Sequence, residues 1–250
     1  MTTADRRDLA GRVETQALYG ERLRVIGSSG TWLHVTAVGQ PTHRNSHGYP
    51  GWLPARQTTS TAPVSTTDVA TVTRLTTWLR NPAGDKRIEV SFGTRLPVLQ
   101  RAQDTITVAS PTHRTLTVTA GDVVVRPASR PALRLTRSSV VSTARRFLGV
   151  AYLWGGRSGF GVDCSGFTQL VYRVHGVVIP RDADDQAGAG TATTVSGASS
   201  SDLLFFDEGG TIGHVGFALG SGRMLHAPHT GAVVQVGSMG SPTLARRFVT

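Results

Sequence analysis

Of the 250 residues only one is a cysteine, Cys164. A single cysteine excludes an intramolecular disulfide and leaves the redox compartment open. Lysine is almost as scarce. There are 26 basic residues against 16 acidic ones, and Lys86 is the only one of the 26 that is not arginine. The net charge of +10 raises nucleic acid or another polyanion as a partner. The arginines are scattered in runs of at most two, however, and no recognition motif accompanies them. No nucleic-acid partner is therefore expected, and the abundant Ala, Gly and Arg read as biased composition. No stretch approaches the ~20 apolar residues of a membrane-spanning helix. The N-terminus, Met-Thr-Thr-Ala-Asp-Arg-Arg-Asp, has no apolar signal-peptide core. The expectation is a cytoplasmic protein; a secreted, wall-associated one is the alternative if a leader lies upstream.

The lone cysteine lies in the most informative stretch. Gly155, Gly156, Gly159 and Gly161 precede it, so regular structure is not expected there. Phe167, Leu170, Val171 and Val174 then recur at helical spacing, and His175-Gly176 supplies a stop. Cys164 thus falls in or just before a first helical turn, where unpaired N–H groups and the helix dipole favour a thiolate. The plainer reading of a lone cysteine is a buried structural residue.

A second stretch tips the balance towards chemistry. Gly213 to Gly220 reads as a strand, Ser221-Gly222 as a turn, and Arg223 to Pro228 as the returning strand. His214 and His226 are symmetric about Gly220. If they pair directly, their Cβ atoms stand about 4.5–5.5 Å apart, and a two-residue shift still leaves them diagonal neighbours on one face. One imidazole can take the thiol proton while the other orients it. Alone, the two histidines would read as half-exposed strand residues.

Residues 131–250 resemble the NlpC family of bacterial cell-wall cysteine peptidases. The matching pieces are Tyr152-Leu-Trp-Gly-Gly, Asp163-Cys164-Ser165-Gly166-Phe167, Pro180-Arg181-Asp182-Ala-Asp-Asp-Gln186, Asp202-Leu-Leu-Phe-Phe206, Gly213-His214-Val-Gly216 and His226-Ala-Pro228. The resemblance implies an α+β papain-like catalytic domain. It departs at Ser201, where the family usually has Gly. Upstream, Gln16-Ala-Leu-Tyr-Gly-Glu21, Gly30-Thr-Trp32 and Gly48-Tyr-Pro-Gly-Trp52 resemble a bacterial SH3-like barrel. Arg22–Ile26 and Thr31–Val35 are expected to form a hairpin around Gly27–Gly30. Relatives carry more chain before this point, which leaves the first barrel's completeness open. Strand-like runs return from Ala70 to Val125 as a second small barrel. The expected division is residues 1–62 and 63–130 for the barrels and 131–250 for the catalytic domain. Near the start of the last, Ser138 or Ser139 should cap a helix carrying Val141, Ala144, Phe147 and Leu148.

The mechanism expected is amide hydrolysis by Cys164, with His214 as base and acid and His226 holding its tautomer. The Cys164 N–H is a natural oxyanion donor. The resemblance adds the Tyr152 hydroxyl, whose other reading is core packing. The pattern is similar to the subgroup that cuts the γ-D-glutamyl bond to a diamino acid in murein peptides with a free N-terminal L-Ala. That implies substrate roles for Glu14, Tyr49, Asp163 and Asp182 at the amino end, with Ser165 and Arg181 beside them. Ala183 stands where a Ser contact is common, and Glu14 reads equally as a surface charge. Neither a cofactor nor a metal is expected; His43 and His47 sit in a polar loop without a third ligand and read as solvated. The alternatives are an endopeptidase acting on intact peptidoglycan and a wall-binding protein with an inactive catalytic domain.

Overall fold

The computed structural model describes residues 1–249. A short helix α1 (Thr3–Asp8) is capped by Thr2, whose hydroxyl accepts from the Asp5 N–H. Strands β1 (Leu23–Ser29), β2 (Trp32–Ala37) and β3 (Tyr49–Pro54) form an open three-stranded antiparallel sheet. β1 runs through Gly27 and turns at Gly30, later than expected. A bulge between Val25 and Gly27 absorbs the difference, and Gly30 takes the positive φ of +53° that the turn needs.

Seven strands follow: β4 (Asp68–Val72), β5 (Thr76–Arg80), β6 (Lys86–Ser91), β7 (Arg95–Arg101), β8 (Thr105–Ala109), β9 (Thr115–Thr119) and β10 (Val123–Pro127). Their order in the sheet is β10-β4-β7-β8-β9-β5-β6. Alternate residues such as Ala70, Val72, Leu79, Val90, Ile106, Val108, Leu116 and Val118 fill its interior.

The third unit begins with α2 (Arg137–Arg145). Its cap is Thr136, not Ser138 or Ser139: Thr136 is extended, and its hydroxyl accepts the Ser139 N–H at 3.2 Å. The earlier start rotates the buried stripe to Val140, Thr143 and Ala144, with Phe147 beyond them, and leaves Leu148 at the surface. After the short pair β11 (Arg157–Ser158) and β12 (Gly161–Val162) comes α3 (Cys164–Val174), then α4 (Ala183–Ala187) and β13 (Thr191–Thr193). Strands β14 (Leu203–Asp207), β15 (Ile212–Gly220), β16 (Arg223–His226), β17 (Gln235–Ser238) and β18 (Leu244–Arg247) complete a six-stranded sheet ordered β13-β18-β14-β15-β16-β17. The polar stretch 177–201 thus supplies α4 and an edge strand.

Helix α3 is buried along its whole length except Arg173. It ends at His175, and Gly176 follows with φ +85°. A file of rings, Phe92–Phe147–Phe167–Phe217, runs through the core at centroid spacings of 5.1, 5.4 and 5.3 Å. Phe92 follows β6, and Leu18 of the N-terminal segment joins the same core. Both upstream regions are therefore packed onto the third unit. Among the described residues no helix is long and apolar enough to cross a membrane.

Candidate active site

Cys164 is the first residue of α3. Its position is set by Asp163, which caps the helix by accepting the Gly166 N–H at 2.6 Å and donates its own N–H to the Gly156 carbonyl. Gly166 packs so closely on the Gly156 carbonyl that any side chain there would collide with it. The Cys164 Sγ lies 4.0 Å from the carbonyl oxygen of Gly213, the residue before His214. The helix start thus abuts the histidine strand.

The hairpin register explains the histidine pair. Phe217 faces Leu225 and Ala218 faces Met224. Continued by one residue, that register sets Gly216 opposite His226, and a methyl on Gly216 would stand 2.8 Å from the His226 Cβ. His214 is two residues further along, diagonal to His226 on the same face. The rings meet nearly edge to face, with His214 Nε2 2.9 Å from His226 Nδ1. When His214 Nε2–H donates in that bond, His214 Nδ1 is left as the acceptor that a base needs.

Burial controls the resting protonation. It drives His214 down to about 4, helped by the neighbouring His226 and His229, and it lowers His226 as well. Cys164 is pushed up to about 12, by burial first and the Asp163 charge second. Burial opposes the ready thiolate that the helix start favours. The helix N-terminus does act on the sulfur, but desolvation at 7% exposure outweighs it. Burial thus favours the uncharged forms, thiol and neutral imidazole, at this pair. Tyr152 is buried near Cys164, and burial followed by that neighbour raises its hydroxyl, keeping it a donor.

At the amino end the expected residues converge, though not all as free acceptors. Asp163 is held by Arg181 in a two-pronged pair, Nη2 to Oδ2 at 2.6 Å and Nη1 to Oδ1 at 3.1 Å. Arg181 Nη1 also donates to Ser165 Oγ at 3.0 Å, and its Nε donates to Thr15 Oγ1 at 2.8 Å. The cation that Asp163 needs thus comes from within the chain, not from a ligand. Asp182 accepts from the Tyr49 hydroxyl at 3.0 and 3.2 Å, so β3 touches the catalytic unit at this point. Burial raises the Asp182 carboxyl, against the pull of Arg181, Tyr49 and Arg44. Glu14 is half exposed and accepts from Arg44 Nη1 at 2.8 Å.

Other contacts were not anticipated. His43, expected to be solvated, bonds Asp185 through Nδ1 at 2.8 Å and through its backbone N–H at 3.0 Å. His47 Nδ1 accepts from Arg24 instead. Carboxylate oxygens of Asp182, Asp184 and Asp185 lie within 4.8 Å of one another, close enough to hold a cation, but Tyr49 and His43 already engage the first and last. Glu21 is buried between two guanidiniums, Arg157 Nη1 at 2.9 Å and Arg173 Nη1 at 3.1 Å. Burial alone would raise its pKa, but the two cations hold it below its usual range. Glu21 appeared in the sequence only as part of a turn motif. Arg44 carried no signal at all: it sits in a loop without periodicity.

Residues 149–250 match the NlpC/P60 family, and residues 72–125 match the YKFC SH3b2 domain. A gamma-D-glutamyl-L-lysine dipeptidyl-peptidase of Bacillus subtilis is 38% identical over 227 residues, covering 90% of this chain and 75% of that protein. Its namesake from Bacillus cereus is 37% identical over 243 residues, covering 93% and 72%. A crystal structure of an NlpC/P60 family protein from Bacillus cereus superposes with a TM-score of 0.93 at 33% identity, covering all of this chain and 87% of the other.

Proposed function

The chain belongs to the NlpC/P60 family of cysteine peptidases, and on that premise we propose that it cuts the γ-D-glutamyl bond to a diamino acid in murein peptides whose N-terminal L-Ala is free. The observation that carries the proposal is the hydrogen bond between Tyr49 and Asp182. It joins the first sheet to the catalytic unit beside Arg181, so the cleft has a polar, acidic end fixed relative to Cys164. The names of the two Bacillus relatives support the same bond class and the release of a dipeptide.

In this reading Cys164 is the nucleophile and His214 Nδ1 takes its proton as the sulfur attacks the glutamyl carbonyl. Proton transfer accompanies attack, since burial disfavours charge on either group beforehand. The oxyanion meets the N–H at the start of α3 and the protonated Tyr152 hydroxyl. His214 returns the proton to the leaving amine while His226 holds its tautomer, and a water then cleaves the Cys164 thioester, freeing the dipeptide acid and the thiol. Glu14, Tyr49 and Asp182 meet the L-Ala ammonium, and the Arg181–Asp163 pair with Ser165 fixes the floor beside them. The three-part division of the chain and a cytoplasmic setting belong to the same proposal, the latter because its substrate is a peptide already released from the wall.

The test is to incubate the chain with L-Ala-γ-D-Glu-L-Lys, with the diaminopimelate tripeptide, and with the N-acetyl form of each. Dipeptide should appear from the free amines only, and Cys164→Ala should release none. Equal cleavage of the acetylated forms would overturn the free-amine substrate and favour an endopeptidase acting on intact stems.

A further inference from the structure

Three groups assigned above to the substrate's ammonium are already engaged, all by one side chain. Arg44 Nη1 donates to Glu14 at 2.8 Å. Its Nε lies 3.5 Å from Asp182 Oδ2. Its Cζ stands 5.2 Å from the centre of the Tyr49 ring, within reach of a cation–π contact. Two carboxylates and an aromatic face are what an ammonium would also seek. The nearby Arg181 cannot fill this role, since its guanidinium is buried and committed to Asp163, Ser165 and Thr15. Arg44 differs in every respect that governs mobility. It comes from the loop between β2 and β3, and its side chain is 45% exposed.

We infer that Arg44 is a built-in stand-in for the substrate's ammonium: in the empty enzyme its guanidinium occupies the amine subsite, and a peptide binds by displacing it. The inference rests on the free-amine reading above. An incoming ammonium can make the exchange because it restores to Glu14 and Asp182 the charge that Arg44 withdraws. An acylated end has no charge to offer and would leave both carboxylates unpaired. Arg44 is thus an internal competitor for the subsite. It raises the threshold for every ligand that needs this space, charged or neutral, and keeps Glu14 and Asp182 from facing each other as uncompensated like charges.

A ligand that needs the vacated subsite sees its affinity reduced by the fraction of molecules in which Arg44 has left. For an exposed ion pair worth about 0.2–1 kcal/mol that reduction is roughly 1.5- to fivefold. The experiment uses the full chain carrying Cys164→Ala, so that nothing turns over. Calorimetry measures binding of L-Ala-γ-D-Glu and of its propionyl analogue, in which hydrogen replaces the amine, with Arg44 present and with Arg44→Gln. Arg44→Gln should tighten both ligands by the same roughly 1.5- to fivefold, because both need the same space. Tightening of the dipeptide alone would mean that Arg44 acts only through its charge at a distance. Weaker binding would make Arg44 a ligand of the substrate, and no change would make it idle; each of these overturns the inference. Failure of the dipeptide to bind either protein overturns the free-amine reading and the role of Arg44 together. Binding to both at equal affinity overturns the role of Arg44 alone.

Discussion

Two carboxylate–guanidinium clusters lie where the N-terminal segment meets residues 131–250, through Arg157 and Arg173 in one and Asp182 in the other, and they behave as opposites. Glu21 is 3% exposed and sits between Arg157, fully buried, and Arg173. Glu14 is 52% exposed and meets Arg44, itself 45% exposed. The chemistry is the same and the burial is not. A buried pair cannot open without stranding a charge away from water, so it acts as a fixed tether. An exposed pair exchanges freely with solvent or with a ligand. The rigid kind is sealed in the interior, and the exchangeable kind lies at the solvent-facing mouth of the proposed amine subsite.

The comparison can be broken most sharply at Cys164, where ionisation would create a buried anion. With burial pushing its thiol up, Cys164 at pH 7 should react with iodoacetamide more than tenfold more slowly than a free thiol of pKa ~8.5. The rate should climb about tenfold per pH unit above neutrality, since only the thiolate reacts. Fast labelling at pH 7 would mean that burial does not govern this site. Glu21→Gln comes next. It strands Arg157, which burial already holds down at about 10, and should cost about 3–5 kcal/mol in denaturant unfolding. A loss below about 1 kcal/mol would erase the distinction between tether and mouth.

Glu14→Gln should leave unfolding within about 0.5 kcal/mol of the parent. It should lower kcat/KM for free-amine peptides by roughly 1.5 kcal/mol, the low end for a hydrogen bond to a charged group. Steady-state kinetics against the N-acetyl peptide provide the control. The smallest effect is expected at the exposed His43–Asp185 pair. Asp185 raises the pKa of His43 above its ordinary 6.5 by hydrogen bonding first and charge second. A raised histidine stabilises the folded state below its unfolded value, and this contribution is lost as pH rises through the folded one. Asp185→Asn should therefore lower the melting temperature more at pH 5.5 than at pH 8.5; the reverse order would show that the pair contributes through something other than the imidazolium.

The catalytic hairpin and α3 were legible in the sequence because their signals are local. Glycines flank Cys164, a helical stripe follows it, and the histidines are symmetric about Gly220. The diagonal placement of His214 and His226 lay within the register range that such a hairpin allows. Contacts spanning a hundred residues or more left no such mark. Nothing in the run 41–48 points to Asp182 or Asp185, and nothing in 157–173 points to Glu21. The arginines are the clearest case. Read from composition they were a biased, scattered excess. In the fold Arg181 pairs with Asp163, Arg157 and Arg173 with Glu21, and Arg137 and Arg247 with the buried Asp202. Local conformation was legible at Ser201, flagged because Gly is usual there: it has a φ of +77°, the left-handed region that glycine enters freely.

Asp163 caps α3 through the Gly166 N–H, clamps Arg181 through both oxygens, and immediately precedes the nucleophile. Helix initiation, the shape of the cleft floor and the placement of the sulfur thus share one carboxylate. If the proposed amine subsite holds, descendants of this sequence can vary the exposed Glu14 or Arg44 singly and retune what they accept. At Asp163 and Arg181 they must change both partners in step or neither, so substrate preference can drift at the rim while the centre stays frozen.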